Sequence, residues 1–178
     1  MSKALIVVDM QNDFVYGALG TPEARAIIPS VANKIMETYE NGDTLIYTRD
    51  IHFAEAYTQT IESNYVPSHC VAETPGAALI EEIKTLNIPR IYSQEACKST
   101  YAYPFWGDWH DTLGRVDKIE LIGVCTDICV VSNALAIRSK YPNIPVCVDA
   151  SCCAGTTPER HKAAIEIMTS CNVEVINE

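Results

Sequence analysis

The sequence predicts a single α/β domain spanning residues 1–178, a three-layer α/β/α sandwich, and three observations carry that reading. Short apolar runs alternate with amphipathic stretches along the whole chain. The runs are continuous rather than alternating, which suits strands covered on both faces. A chain of 178 residues, 48% of them hydrophobic, has the size and composition of one folded domain. A β-α-β-α series implies parallel strands joined by right-handed crossovers.

Taken in order, residues 4–8 (ALIVV) form the first expected strand; the run is too short for a signal peptide and lacks a small-residue cleavage site. A helix is expected over about 23–40, with Ala26, Ile27, Val31, Ile35 and Met36 on one face, ending at Asn41-Gly42. Strands follow at 44–48 (TLIYT) and, more weakly, at 88–93 (IPRIYS), with a helix near 76–86 between them. Residues 119–125 (IELIGVC), 144–148 (IPVCV) and 173–176 (VEVI) complete the strands, separated by helices at 127–140 and 158–171.

Charge narrows the partners. Lys plus Arg number 13 against 23 Asp plus Glu, a formal charge of −10. Such a surface repels phosphate backbones and anionic lipid, which argues against nucleic acid and membrane partners. No apolar run reaches the roughly 20 residues of a membrane span. The eight cysteines show neither CxxC spacing nor a secretory context, so a reducing cytoplasm is expected.

Residues 50–75 and 96–114 are long and irregular and hold three of the four histidines and both tryptophans. Long loops in a compact domain are usually functional, and in open parallel sheets ligands sit beyond the strands' carboxyl ends. The groups after each strand are therefore the candidates. Asp9, in VVDMQNDF, is either a turn cap or a carboxylate able to move a proton. Asp50 and His52 alternate on an extended chain and can point the same way, with Glu62 and His69 following. Two histidines with one or two carboxylates suit a divalent transition metal; a solvated loop is the alternative. Lys98 follows the weak strand and is either a surface charge or, among its small and apolar neighbours, a partly buried ammonium able to hold a thiolate. In GVCTDICV, a strand runs through a tight turn into a helix, with Thr126 or Asp127 as the expected N-cap. Cys129 then falls in the first helical turn, where free amides and the helix dipole lower a thiol's pKa. A buried structural cysteine is the alternative.

The set VVDMQNDF, TRDIH, SHCVAETPGA, a lysine after the third strand, and GVCTDICV resembles the isochorismatase-like cysteine hydrolases over nearly the whole chain. The resemblance implies a Rossmann-like α/β/α fold with a six-stranded parallel sheet. It implies an Asp9-Lys98-Cys129 triad, a cis Val124–Cys125 peptide, and an oxyanion hole from the amides of Cys125 and Cys129. The D-x-H…E…H pattern is similar to the nicotinamidase branch. That implies one divalent metal on Asp50, His52, Glu62 and His69, zinc first, with iron or manganese able to use the same ligands. Phe14 and Tyr101 match aromatics near the substrate.

The expected activity is hydrolysis of nicotinamide to nicotinate and ammonia through a thioester, a salvage step toward NAD. The alternatives are hydrolysis of another small amide or carbamoyl compound, or a non-catalytic metal- or ligand-binding protein on the same scaffold. The expected partner is a small amide. Folds of this size often pair through an exposed helix or loop, which leaves a homo-oligomer open.

Overall fold

The structure is a computed structural model that describes residues 2–178. Its strands are β1 (Lys3–Val8), β2 (Thr44–Asp50), β3 (Ser93–Lys98), β4 (Lys118–Val124), β5 (Val146–Ala154) and β6 (Glu174–Ile176). All pair in parallel, in the order β3-β2-β1-β4-β5-β6. β2 and β3 therefore step to one side of β1, and β4, β5 and β6 to the other. The order reverses between β1 and β4, and a crevice opens at such a reversal, outside the carboxyl ends of the two strands.

Strand alternation builds two cores. Ala4, Ile6 and Val8 enter one, with Ile119 and Leu121, while Leu5 and Val7 enter the other, with Leu45 and Ile122. The helix Ile28–Glu40 covers the second core with Val31 and Ile35. The helices Val131–Lys140 and Pro158–Ser170 cover the first with Ala134, Ile137, Ile165 and Met168. Each large aliphatic side chain so buried stabilises the fold by about 1.5–3 kcal/mol. The Pro158–Ser170 helix starts on a proline, and the Thr157 hydroxyl accepts from the Arg160 amide at 3.2 Å, satisfying one free donor.

Before β4, three expected elements differ. The 23–40 helix is two, Pro22–Ala26 and Ile28–Glu40, because Pro29 has no amide proton to continue the ladder across the break. The 76–86 helix shrinks to a 3-10 turn, Pro75–Ala77, and one α-turn, Glu81–Lys84. Its backbone pairs instead with the segment after β1: the Asn12 amide donates to Ala78 and the Ile80 amide to Met10, at 2.9 and 3.0 Å. The third strand occupies 93–98 rather than 88–93, where Arg90–Tyr92 forms a 3-10 turn. Lys98 is thus the last residue of β3, directly paired with Asp50 at the end of β2.

Candidate active site

Asp9 leaves β1 in the left-handed region, with φ 49°, a conformation that aspartate tolerates better than most residues. Its Oδ1 accepts from the Thr48 hydroxyl at 2.6 Å, and its Oδ2 lies 2.7 Å from Lys98 Nζ. Both side chains of that pair are sealed from solvent. Lys98 Nζ also reaches Cys129 Sγ at 3.6 Å and Asp50 Oδ1 at 3.8 Å. Burial works against the lysine's charge, but Asp9, Cys129 and Asp50 outweigh it and hold the ammonium above its ordinary range. The structure therefore brings Asp9, Lys98 and Cys129 together from the carboxyl ends of β1 and β3 and from the turn after β4.

Cys129 sits on a wide turn. β4 ends at Val124, the Val124–Cys125 peptide is cis, and Thr126–Val130 winds as a π-type turn before the helix Val131–Lys140. At Gly123, φ is 113°, and a Cβ there would meet the Val8 carbonyl at 2.2 Å, so β1 and β4 touch as only glycine permits. Neither Thr126 nor Asp127 caps the turn. Cys125 holds the cap position without a side-chain bond. The Thr126 hydroxyl is 2.8 Å from His161 Nδ1, and the Asp127 carboxylate accepts from the Thr156 amide and hydroxyl at 2.7 and 2.6 Å. The expected lowering of the Cys129 pKa also reverses. Burial and the Asp9 carboxylate push the thiol well above a free thiol, and Lys98 opposes them without prevailing. The buried setting beside Asp9 therefore favours the neutral thiol of Cys129. Cys125, its neighbour on the cavity wall, is pushed up to about 12 by burial, then by Asp127 and Asp9.

Asp50, His52 and His69 converge on one point, their ligand atoms within 4.8 Å of one another. Asp50 Oδ2 lies 3.1 Å from His52 Nε2 and 3.4 Å from His69 Nε2. His69 Nδ1 donates to the Pro67 carbonyl at 2.9 Å, so a neutral His69 turns a lone pair toward the carboxylate. That facing pair needs a cation, either a ring proton or a metal. Burial lowers the His69 pKa, but Asp50 and the Pro67 carbonyl raise it above the usual histidine value, the response of a ring held against negative charge. Burial likewise pushes Asp50 up, yet His52, His69 and Lys98 hold its carboxyl well below the usual range. Asp50 Oδ1 is buried without a hydrogen-bond partner among the described residues. These residues fit a divalent cation.

A cavity of about 610 Å³ opens over these groups, walled by Phe14, Glu62, Tyr101, Cys125 and Cys129, with Asp50 and His69 at one end. Glu62, in the 3-10 turn Glu62–Asn64, borders the cavity but stands outside the three-residue cluster. Phe14 is buried and packs edge-on against His69 at 5.4 Å, whereas Tyr101 is half exposed at the rim. Three contributors escaped the sequence reading. Gln11 clamps Asp50: its amide donates to the Asp50 carbonyl at 2.8 Å and accepts from the Asp50 amide at 2.7 Å. Tyr57 packs edge-on against both metal-site histidines, at 4.7 and 5.5 Å, and its hydroxyl donates to Val66, so the 53–70 loop has an apolar anchor the composition did not suggest. Thr48 orients Asp9. The VVDMQNDF and TLIYT strings contain two of the three, but nothing local announces their partners.

Comparison with known proteins places the chain in a family. The isochorismatase domain family model matches residues 3–178. A nicotinamidase/pyrazinamidase of Mycobacterium tuberculosis is 29% identical over 194 residues, covering 98% of this chain and 98% of that protein. A nicotinamidase of Schizosaccharomyces pombe is 27% identical over 210 residues, covering 98% of this chain and 93% of that one. The pyrazinamidase of Pyrococcus horikoshii, solved in complex with zinc, superposes with a TM-score of 0.85 at 29% identity, covering both chains fully (100% and 100%). With its six-stranded parallel sheet and a family match over nearly its full length, the chain belongs to the isochorismatase family.

Proposed function

We propose that the chain is a metal-containing cysteine amidohydrolase that converts nicotinamide and water to nicotinate and ammonia, feeding NAD salvage. The observation that carries this reading is the sealed Asp9–Lys98 pair against Cys129, with the Asp50-His52-His69 cluster opening on the same cavity. The nicotinamidase and pyrazinamidase relatives support the substrate class.

The mechanism follows from these groups. Cys129 rests protonated, and its proton passes to Asp9 as the sulfur adds to the amide carbonyl. Lys98 stays charged beside both partners and stabilises the negative charge as it moves from carboxylate to sulfur. The carbonyl oxygen, now anionic, is held by the amides of Cys125 and Cys129. Asp9 returns the proton to the amide nitrogen, the C–N bond breaks, and ammonia leaves a thioester on Cys129. Water then adds to the thioester, with Asp9 as base, and releases the acid and the thiol. Phe14 and Tyr101 flank the ring.

Asp50, His52 and His69 hold the divalent ion, zinc ahead of iron or manganese, in keeping with the zinc complex of the Pyrococcus horikoshii relative. When bound, such an ion supplies a Lewis acid for the ring nitrogen or for water. Glu62, expected as a fourth ligand, lies on the cavity wall outside that cluster. Eight free cysteines favour a reducing compartment such as the cytoplasm.

The test is ammonia release from a panel of nicotinamide, pyrazinamide, aliphatic amides and carbamoyl compounds, with metal analysis of the same sample. Nicotinamide or pyrazinamide is expected to give the highest kcat/KM. The size of the cavity, about 610 Å³, supports one second reading, since a single small ring leaves much of it empty. A larger amide or carbamoyl compound turning over faster than both rings would move the assignment there. No turnover of any amide by the metal-loaded protein would overturn the hydrolase reading.

A further inference from the structure

Asn133 lies one helical turn beyond Cys129 and is fully buried. A side-chain amide has two N–H donors and two carbonyl lone pairs, and here all four are used. Nδ2 donates to the Cys129 carbonyl at 2.8 Å and to the Tyr101 carbonyl at 3.2 Å. Oδ1 accepts from the Tyr103 amide and from Trp106 Nε1, both at 2.9 Å. The partners fix the amide's orientation, because two acceptors face nitrogen and two donors face oxygen.

Those four bonds join two parts of the site that share no sequence. One is the π-type turn carrying Cys129. The other is the aromatic strap from Tyr101 to Trp109, whose first residue walls the cavity. The strap packs on itself, Tyr103 against Trp106 at 4.9 Å and Trp106 against Trp109 at 5.6 Å, and the Tyr141 hydroxyl pins the Trp106 carbonyl at 2.6 Å. Yet Tyr101 itself is half exposed, so its place on the cavity wall depends on backbone anchors rather than on packing.

We infer that Asn133 is a positioning residue that sets the distance between the Cys129 nucleophile and the Tyr101 wall of the substrate cavity. It touches neither substrate nor thiol. Its donor face joins the nucleophile's turn to Tyr101 at the start of the strap, and its acceptor face holds the rest of the strap at Tyr103 and Trp106. The inference rests on the hydrolase reading only for its kinetic arm.

The two faces can be removed separately. Asn133→Asp keeps oxygens toward Tyr103 and Trp106 but takes away amide donors from Cys129 and Tyr101. Asn133→Thr keeps a hydroxyl able to donate to the carbonyl four residues back, as threonine does in helices, and abandons the strap. Asn133→Asp loses the bonds to both Cys129 and Tyr101 and is expected to lower kcat by about tenfold or more, the scale of a small misplacement of a reacting group, and to raise KM as well. Asn133→Thr is expected to raise KM severalfold with kcat nearly unchanged. Two readouts need no turnover. Both tryptophans of the chain lie in the strap, so acrylamide quenching should rise in Asn133→Thr and stay at the wild-type level in Asn133→Asp. The rate of iodoacetamide modification, read at the Cys129 peptide by mass spectrometry, should change in Asn133→Asp by severalfold. If wild type hydrolyses no amide, the hydrolase reading fails and these two readouts alone decide the inference. If the variants move the same quantities to the same degree, or shift only the melting temperature, Asn133 is a structural residue and the inference is overturned.

Discussion

The Lys98 ammonium lies 2.7 Å from the Asp9 carboxylate, and neither side chain has measurable contact with solvent. A buried pair of this kind is not itself strong support for the fold, since desolvation offsets much of the attraction. Its consequence appears when one partner is lost. Lys98→Met leaves Asp9 and Asp50 as sealed carboxylates with no cation between them, and is expected to cost about 3–5 kcal/mol. Asp9→Asn combined with Lys98→Met should recover a large part of that loss while remaining inactive. Denaturant unfolding of the two single variants and the double variant measures this; strictly additive losses would show that the two groups do not act as a unit.

The nucleophile can be separated from the scaffold. Cys129→Ala is expected to reduce amide turnover by about a thousandfold or more. The fold and the bound metal should survive, because the turn's backbone is held by Asn133 and by the Val130 amide's bond to the Cys125 carbonyl. Near-normal turnover in Cys129→Ala, with metal content unchanged, would remove Cys129 from the chemistry. The Cys125→Ala variant is the matched control, since that thiol shares the cavity wall, whereas the Lys98 ammonium makes its thiol hydrogen bond to Cys129.

The parts of this architecture that could be read in advance are those whose signal is local. β1 and β4 are covered on both faces and appear as unbroken apolar strings, so their exits at Asp9 and at the Cys125–Cys129 turn were legible. β3 is an edge strand reading SQEACK with half of its residues exposed, and it has no apolar pattern to find. The apolar string just before it, IPRIYS, carries Ile91 at 84% exposure and forms a turn. Asp50, His52 and His69 were legible because two of them share a strand end. The supporting groups were not. Gln11, Asn133 and Tyr57 act through partners up to tens of residues away, and an amide or a tyrosine in a helix carries no mark of such a partner. The state of the Cys129 thiol was misjudged for a related reason: helix-start amides are a local signal, whereas complete burial beside Asp9 is a tertiary one.

Away from the site, Lys34 bridges Asp149 at 2.8 Å and Glu120 at 3.0 Å on the face covered by the Ile28–Glu40 helix. Burial raises the Asp149 carboxyl, but Lys34, Ser151 and Asn177 outweigh it and the net shift is downward. A carboxyl depressed in the folded state contributes stability above its unfolded pKa, near ~3.9, and loses it as pH falls through the folded value. The melting-temperature gap between wild type and Asp149→Asn should therefore be widest at neutral pH and close on acidification below about pH 4. A gap that is constant down to acid unfolding would show that the Asp149 charge contributes nothing through its pKa.

The metal cluster yields the last expectation. Asp50 and His52 leave the end of β2, and His69 arrives from a loop already anchored by Tyr57 and Phe14. Removing the ion should therefore abolish amide turnover with little loss of structure in the sheet. The same anchoring predicts that chelation leaves the loop folded and only loosens it, which hydrogen exchange over residues 53–70 can measure. Both histidines must be neutral to ligate, so protons compete with the metal. His69 holds its proton more tightly than an ordinary histidine, because Asp50 and the Pro67 carbonyl overcome its burial. Affinity should accordingly begin to fall at a pH above the usual histidine range near ~6.5 and keep falling as pH drops. His52→Ala and His69→Ala should each lose the ion at metal concentrations that saturate the wild type. Glu62→Gln is the deciding variant for the fourth ligand, because Glu62 borders the cavity yet lies outside the cluster formed by the other three. From that placement it should retain full metal content, and any change should appear in KM. Loss of the metal in Glu62→Gln would instead make Glu62 a direct ligand and require the 62–69 loop to close on the ion when it binds.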